Sequence, residues 1–143
     1  MKLLIIFLLI FVGCKKTEVI DIDLKCSVVA RKGDDNQIIG KWKLVKGQTV
    51  FLDPRTVDYS CNQIIYAFDL NGNLTITADT ADIIGQNSGS YDYTFSKSSF
   101  FEGQNEKFTI KINQRSITCG ISNGVMILDD SPLDGPILHL VRI

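Results

Sequence analysis

The sequence predicts an all-β fold, a small eight-stranded up-and-down antiparallel barrel. Three observations predict it. Apolar and polar residues alternate with period 2 along most of the chain, tight-turn pairs separate the alternating runs, and no stretch between them shows convincing 3.6-residue periodicity. At 143 residues, 45% hydrophobic and 22% charged, the chain has the composition of one ordinary domain plus a targeting segment. Fifteen basic residues against sixteen acidic ones leave a formal charge of −1. That balance excludes a nucleic-acid binder, which needs a surplus of Lys and Arg to displace counterions.

The strands follow in order. Gly40, Trp42 and Leu44 share one face, with Lys41 and Lys43 on the other. Ile64, Tyr66, Phe68 and Leu70 alternate with Ile65, Ala67 and Asp69. The pair Asn71-Gly72, in which both residues tolerate positive φ, marks a hairpin into Leu74 and Ile76. Tyr91, Tyr93 and Phe95 form the next inward row, then Phe108, Ile110 and Ile112, then Ile117, Cys119 and Ile121. Ser122-Asn123-Gly124 turns the chain into Val125–Leu128, and the segment from Ile137 to Ile143 is the last strand. Because one face of each strand is apolar, the sheet has to bury one continuous face, and a meander does so by closing on itself.

The N-terminus reads differently. Lys2 precedes ten uninterrupted apolar residues, Leu3 to Val12, followed by Gly13 and Cys14. Ten residues of helix span about 15 Å, half the hydrocarbon thickness of a bilayer, so the run fits a signal h-region rather than a membrane span. The domain reading is therefore a signal peptide over residues 1–13, an N-terminal tether or extra strand over 14–36, and a barrel over 37–143. In the middle segment Ile20, Ile22, Leu24, Cys26, Val28 and Ala30 alternate with Asp21, Asp23, Lys25 and Ser27. The pattern suits either an added strand or an extended spacer.

Two resemblances carry further expectations. Phe11-Val12-Gly13-Cys14 resembles the lipobox of bacterial lipoproteins, although Phe11 stands where Leu is usual. The resemblance implies cleavage before Cys14, acylation of its sulfur, and membrane attachment as the partner interaction. Two or more acyl chains are needed for firm anchoring, because one holds only marginally. Lys15 in the following position implies the outer membrane, with the leaflet open. Ile39-Gly40-Lys41-Trp42-Lys43-Leu44 resembles the Gly-x-Trp opening of lipocalins and the calycin group. With Val57–Asn62, Ile65–Phe68 and Asp129–Pro136, the chain looks more closely like the lipocalin-like domains of small Bacteroides-type lipoproteins. That likeness implies a structural Trp42–Arg142 pair at the closed end of the barrel. The domain is shorter than a typical lipocalin and no helix follows its last strand. Asp79-Thr80-Ala81 resembles the O-glycosylation acceptor of such envelope proteins.

Little in the chain points to catalysis or metal chemistry. The only histidine, His139, belongs to no motif, and neither a phosphate loop nor a nucleophile elbow is present. The expectation is no enzyme activity, no metal and no cofactor. Asp69-Leu70-Asn71-Gly72-Asn73 has its glycine at the wrong position for a calcium loop and reads as a hairpin turn. Asp129, Asp130 and Asp134 read as solvated or backbone-capping carboxylates. Once Cys14 is acylated, Cys26, Cys61 and Cys119 remain, so at most one internal pair forms. Spacing leaves the pairing open. A Cys26–Cys61 bridge is preferred because it pins the N-terminal segment, whereas Cys119 lies on an apolar face. The inward aromatic residues Tyr66, Phe68, Tyr91, Tyr93, Phe95 and Phe108 either line a ligand site or fill a narrow barrel. Two functions follow: a non-catalytic envelope module binding a small apolar ligand, or an interaction or structural component of the envelope with a packed barrel.

Overall fold

The computed structural model describes residues 23–98 and 107–143. The segment read as a signal peptide, Cys14 and the start of the alternation at Ile20 lie outside the described residues. Nine strands are present among those described: β1 (Gly40–Thr49), β2 (Arg55–Asp58), β3 (Ile65–Phe68), β4 (Asn73–Thr77), β5 (Gly89–Lys97), β6 (Lys107–Ile112), β7 (Arg115–Ser122), β8 (Val125–Asp129) and β9 (Ile137–Arg142). Eight of them form a closed antiparallel ring, β1-β3-β4-β5-β6-β7-β8-β9 and back to β1, with β2 as an extra strand outside it. Neighbours in sequence are neighbours in space from β3 to β9, as an up-and-down barrel requires.

Alternation dictates the core. Trp42, Leu44, Ile64, Tyr66, Phe68, Leu74, Ile76, Tyr93, Phe108, Ile110, Ile112, Ile117, Cys119, Ile121, Met126, Leu128, Leu138 and Leu140 form one buried cluster inside the ring. These are inward rows read from the sequence, with one correction: Leu70, expected to continue the row of Ile64, Tyr66 and Phe68, is 86% exposed because β3 ends at Phe68 and Leu70 falls in the turn, while Tyr91 and Phe95 are only partly buried. Each fully buried large side chain contributes about 1.5–3 kcal/mol of gross transfer free energy.

Strand β1 carries the closure. Its first half, Gly40–Lys43, pairs with β3, and its second half, Lys46–Thr49, pairs with β2 on the same edge. Its other edge pairs with β9 from Trp42↔Arg142 to Gln48↔Ile137. Between Leu44↔Leu140 and Lys46↔His139 one residue of β1 has no counterpart, so Val45 is the extra residue of a β-bulge. The bulge turns Val45 and Lys46 both outward. Val45 then meets Val141 on the outer wall, where Val28 and Ala30 cover it in a second small buried cluster.

The extra strand is therefore β2 and not the N-terminal segment. Arg55–Asp58 is four residues long and follows Pro54, too short a run for alternation to declare itself. The N-terminal segment keeps its period-2 burial, with Leu24, Cys26, Val28 and Ala30 inward and Asp23, Lys25, Ser27 and Val29 exposed. Yet its described part makes a single bridge at Val29 and no ladder. The segment buries its apolar side on the outer wall of the barrel, Val28 and Ala30 against Val45 and Val141. At its far end the Arg31 N–H donates to the Arg142 carbonyl at 2.8 Å.

Beyond that strap the chain crosses the end of the barrel where β1 begins and β9 finishes. Ile38 is buried there against the core, and Trp42 Nε1 donates to its carbonyl at 2.7 Å. The Arg142 guanidinium lies 4.3 Å over the Trp42 ring. It donates to the carbonyls of Gln37 (2.7 Å), Asp34 (3.0 Å) and Ile39 (3.4 Å). One side chain thus gathers the crossing loop onto the indole, and this end is shut. Cation–π attraction of ~0.5–2 kcal/mol adds to those bonds.

Replacing Arg142 by Met keeps most of the packing but strips three carbonyls of their donor. Urea unfolding of Arg142→Met should show a loss of about 1–3 kcal/mol. The emission of Trp42, the only tryptophan in the chain, should shift in the folded variant. Unchanged stability and an unchanged spectrum contradict the plug described here.

Candidate functional site

The opposite end of the barrel is built from three connections. The β4–β5 loop, residues 78–88, brings Ile84, Gly85 and Gln86 over the rim. The short β6–β7 turn presents Arg115, and the segment from Asp130 to Pro136 between β8 and β9 folds as one 3-10 turn, Ser131–Leu133. Ile84 is buried beneath this rim, its N–H donating to the Tyr59 hydroxyl at 2.8 Å.

Between these connections lies a cavity of about 260 Å³ lined by Gly85, Gln86, Ile112, Arg115, Ile117, Leu128, Asp130, Asp134, Gly135, Pro136 and Leu138. Ile112, Ile117, Leu128 and Leu138 are inward residues of the ring, so the cavity is the upper end of the barrel interior. Its volume sits just below the range of about 300–1,000 Å³ usual for small-molecule pockets, which sets the scale of any occupant.

Its polar lining is unusual for such a place. Asp130 is only 6% exposed. Its Oδ2 is ion-paired with Arg115 Nε, while its Oδ1 is buried with no hydrogen-bond partner. Arg115 also donates from Nη2 to the Leu133 carbonyl at 3.1 Å, which ties it to the 3-10 turn. The carboxylate packs directly on Gly135, where a Cβ of any other residue collides with Asp130 Oδ2. Gly85, at φ +111°, admits the loop close to Leu138 and brings it near the Tyr66 hydroxyl. That hydroxyl is likewise buried, with the Gln86 backbone N–H beside it and no acceptor for its own proton. Burial raises its pKa well above the ordinary phenol value, so it is a neutral O–H at physiological pH.

The six aromatic residues proposed as ligand-lining fall elsewhere. Tyr66 stands beneath the Gly85 side of the cavity. Phe68 and Tyr93 form an edge-to-face pair with centroids 5.0 Å apart, and Tyr93 donates its hydroxyl to the Asp69 carbonyl at 2.6 Å. Phe95 and Phe108 stack at 4.6 Å. Tyr91 donates to the Asn87 carbonyl at 2.8 Å. Of the six, Tyr93 and Phe95 line a shallower cavity of about 290 Å³ near the plugged end, with Ile38 and Leu70, and none lines the mouth.

The three aspartates of the β8–β9 connection also separate. Asp129 Oδ1 accepts from Ser131 N (3.0 Å) and Oγ (2.6 Å), capping the turn as expected. Asp134, at φ +58°, is exposed, whereas Asp130 is turned inward. The solvated reading of Asp130 is therefore corrected. A signal for it existed: Asp130 shares parity with Met126 and Leu128, and Arg115 shares parity with Ile117 and Cys119. Both are charged residues on inward rows, one at the end of its strand's row and one at the start. Among the described residues no group of three or more His, Cys, Asp or Glu is placed to hold a metal ion. The Asp69 carboxylate instead closes the β3–β4 turn, accepting from Asn71 N and Asn73 N.

Cys26 and Cys61 form a disulfide across a sequence separation of 35. Cys61 belongs to the excursion between β2 and β3, and next to it Cys26 N donates to Ser60 Oγ at 2.9 Å. Cys119 is a free thiol buried on the inner wall, and burial pushes its pKa up to about 12. His139 faces outward from β9, half-buried near Gln48 and Lys46, remote from the mouth.

No family model, no curated protein and no solved structure matches the chain.

Two measurements check this arrangement. Closing a loop of this length should stabilise the fold by about 2–4 kcal/mol. Reducing the disulfide should therefore lower the unfolding midpoint, while Cys119 stays unreactive towards thiol reagents until the chain unfolds. The pH dependence is the second. Burial, and then the charge of Lys46, hold the His139 imidazole below its ordinary value of 6.5. As pH falls, the unfolded chain takes up this proton before the folded one. The contribution is thus fully present above pH 6.5 and is lost as pH drops through the folded pKa. Urea unfolding at pH 7.5, 6.5 and 5.5 should show that loss, and His139→Gln should flatten it.

Proposed function

We propose that the chain is an envelope-anchored lipoprotein whose lipocalin-like barrel is a non-catalytic binding module for a small apolar ligand. In this reading Cys14 carries the lipid that holds the protein on the outer membrane of a bacterial cell, and the ligand enters by the mouth. The observation that carries the reading is the asymmetry of the barrel. One end is shut by Ile38, Trp42 and Arg142, while the other keeps a cavity walled by Ile112, Ile117, Leu128 and Leu138. Ligand pockets combine such apolar walls with a few convergent polar groups, and Asp130 and Arg115 supply them here.

A second reading, an interaction component of the envelope, is favoured by the β1–β2 hairpin. Its tip stands outside the ring and exposes Val50, Phe51 and Leu52, the last of them completely. Apolar residues grouped on a protruding loop suit contact with another envelope protein.

Native mass spectrometry of protein released gently from its own envelope separates the two. The binding reading predicts an acylated chain carrying a small retained adduct that survives Phe51→Ser/Leu52→Ser. An acylated chain without adduct, co-released with a second protein that the double substitution abolishes, favours the interaction reading instead. An unprocessed, unacylated chain contradicts both.

A further inference from the structure

We infer that the mouth cavity selects a small neutral hydrogen-bond donor, an alcohol or amide on an apolar body, through Asp130 Oδ1. The inference rests on the binding reading above and names the chemistry of the ligand. Asp130 is more than nine-tenths buried, lines the cavity, and keeps one carboxylate oxygen without a partner. A buried acceptor left unsatisfied is costly, so a ligand that brings a donor to it gains over one that does not.

The charge of the carboxylate is already met. Arg115 Nε is ion-paired with Oδ2, so the pair is close to neutral as a unit. A second cation entering beside Oδ1 would be placed near the guanidinium and would have to leave water to get there. A ligand carboxylate would meet Asp130 itself. A neutral O–H or N–H meets neither penalty. The remaining lining, Ile112, Ile117, Leu128, Pro136 and Leu138, recognises nothing but apolar shape. The volume of about 260 Å³ confines that body to a single ring or a short chain.

The position of Arg115 makes the preference removable by one substitution. In Asp130→Asn, Arg115 Nε still requires an acceptor, so the amide oxygen turns to it and the NH2 faces the cavity. A cavity acceptor becomes a cavity donor with hardly any change of shape.

The probes are cyclohexanol, cyclohexanone, methylcyclohexane and cyclohexylammonium, similar in bulk, titrated against the folded protein while the amide resonances of Gly85, Gln86 and Gly135 are followed by NMR. The wild type should bind cyclohexanol roughly tenfold or more tightly than each of the other three. Asp130→Asn should abolish the preference for cyclohexanol over cyclohexanone, because the amide NH2 serves either oxygen as acceptor. Equal binding of alcohol, ketone and hydrocarbon overturns the assigned ligand class and leaves the binding reading standing. Tightest binding of the ammonium also overturns it, because Asp130 would then act as an unmet charge. No shift of mouth amides with any probe overturns both readings. Should Asp130→Asn fail to fold, the wild-type ratio of alcohol to ketone decides alone, and a ratio of one or less overturns the inference.

Discussion

Everything in this molecule depends on β1 holding two edges at once. A sheet that is apolar on one side cannot leave that side wet, and eight strands solve the problem only if the last finds the first. Strand β1 pairs with β9 along one edge and with β3, then β2, along the other. A flat strand cannot serve partners that diverge in this way. The bulge at Val45 bends it, and bulges raise local twist where a sheet must curl into a barrel. Val45, outward in step with Lys41 and Lys43, forms with Val141 the apolar patch that the N-terminal strap covers.

The two ends of the ring then acquire different chemistry. At the closed end the indole N–H and the terminal guanidinium nitrogens donate to carbonyls of the crossing loop, while Arg142 Nε is buried without a partner. At the mouth an ion pair leaves one carboxylate oxygen of Asp130 unpaired beside a cavity. Buried polar groups are ordinarily satisfied, and those that are not tend to mark places where structure alone does not explain the residue. The contrast between a plugged end and one that keeps a cavity gives the barrel a direction. The exposed Phe51-Leu52 tip continues β1 beyond its paired residues, on that same open side.

Much of this was legible before any coordinates. Strict alternation identified the inward rows, since a period of 2 admits only two faces and one of them was apolar. The meander followed from turns such as Asn71-Gly72. What escaped was set by contacts that no local pattern encodes. Arg55–Asp58 becomes a strand because the free half of the β1 edge is there to receive it. Leu24 to Ala30 alternate like a strand but are not one, because their apolar side packs on the outer wall, Val28 and Ala30 against Val45 and Val141. The aromatic rows were read correctly as inward, yet pairing of Phe68 with Tyr93 and Phe95 with Phe108 fills their part of the barrel. The cavity opens instead where side chains are shorter. Asp130 and Arg115 could have been singled out as charges on inward parity, a signal obscured by the acidic run in which Asp130 sits.

Closure is the claim on which the account stands, and amide hydrogen exchange of the native protein tests it most directly. If β1 and β9 are hydrogen-bonded along their length, the amides that point across that seam, such as those of Lys43 and Val141, should exchange as slowly as those of the β6–β7 ladder, for example Ile110 and Ile117. Rapid exchange along β9, or along the facing edge of β1, with β6 and β7 still protected, shows an open sheet with two free edges and contradicts the ring.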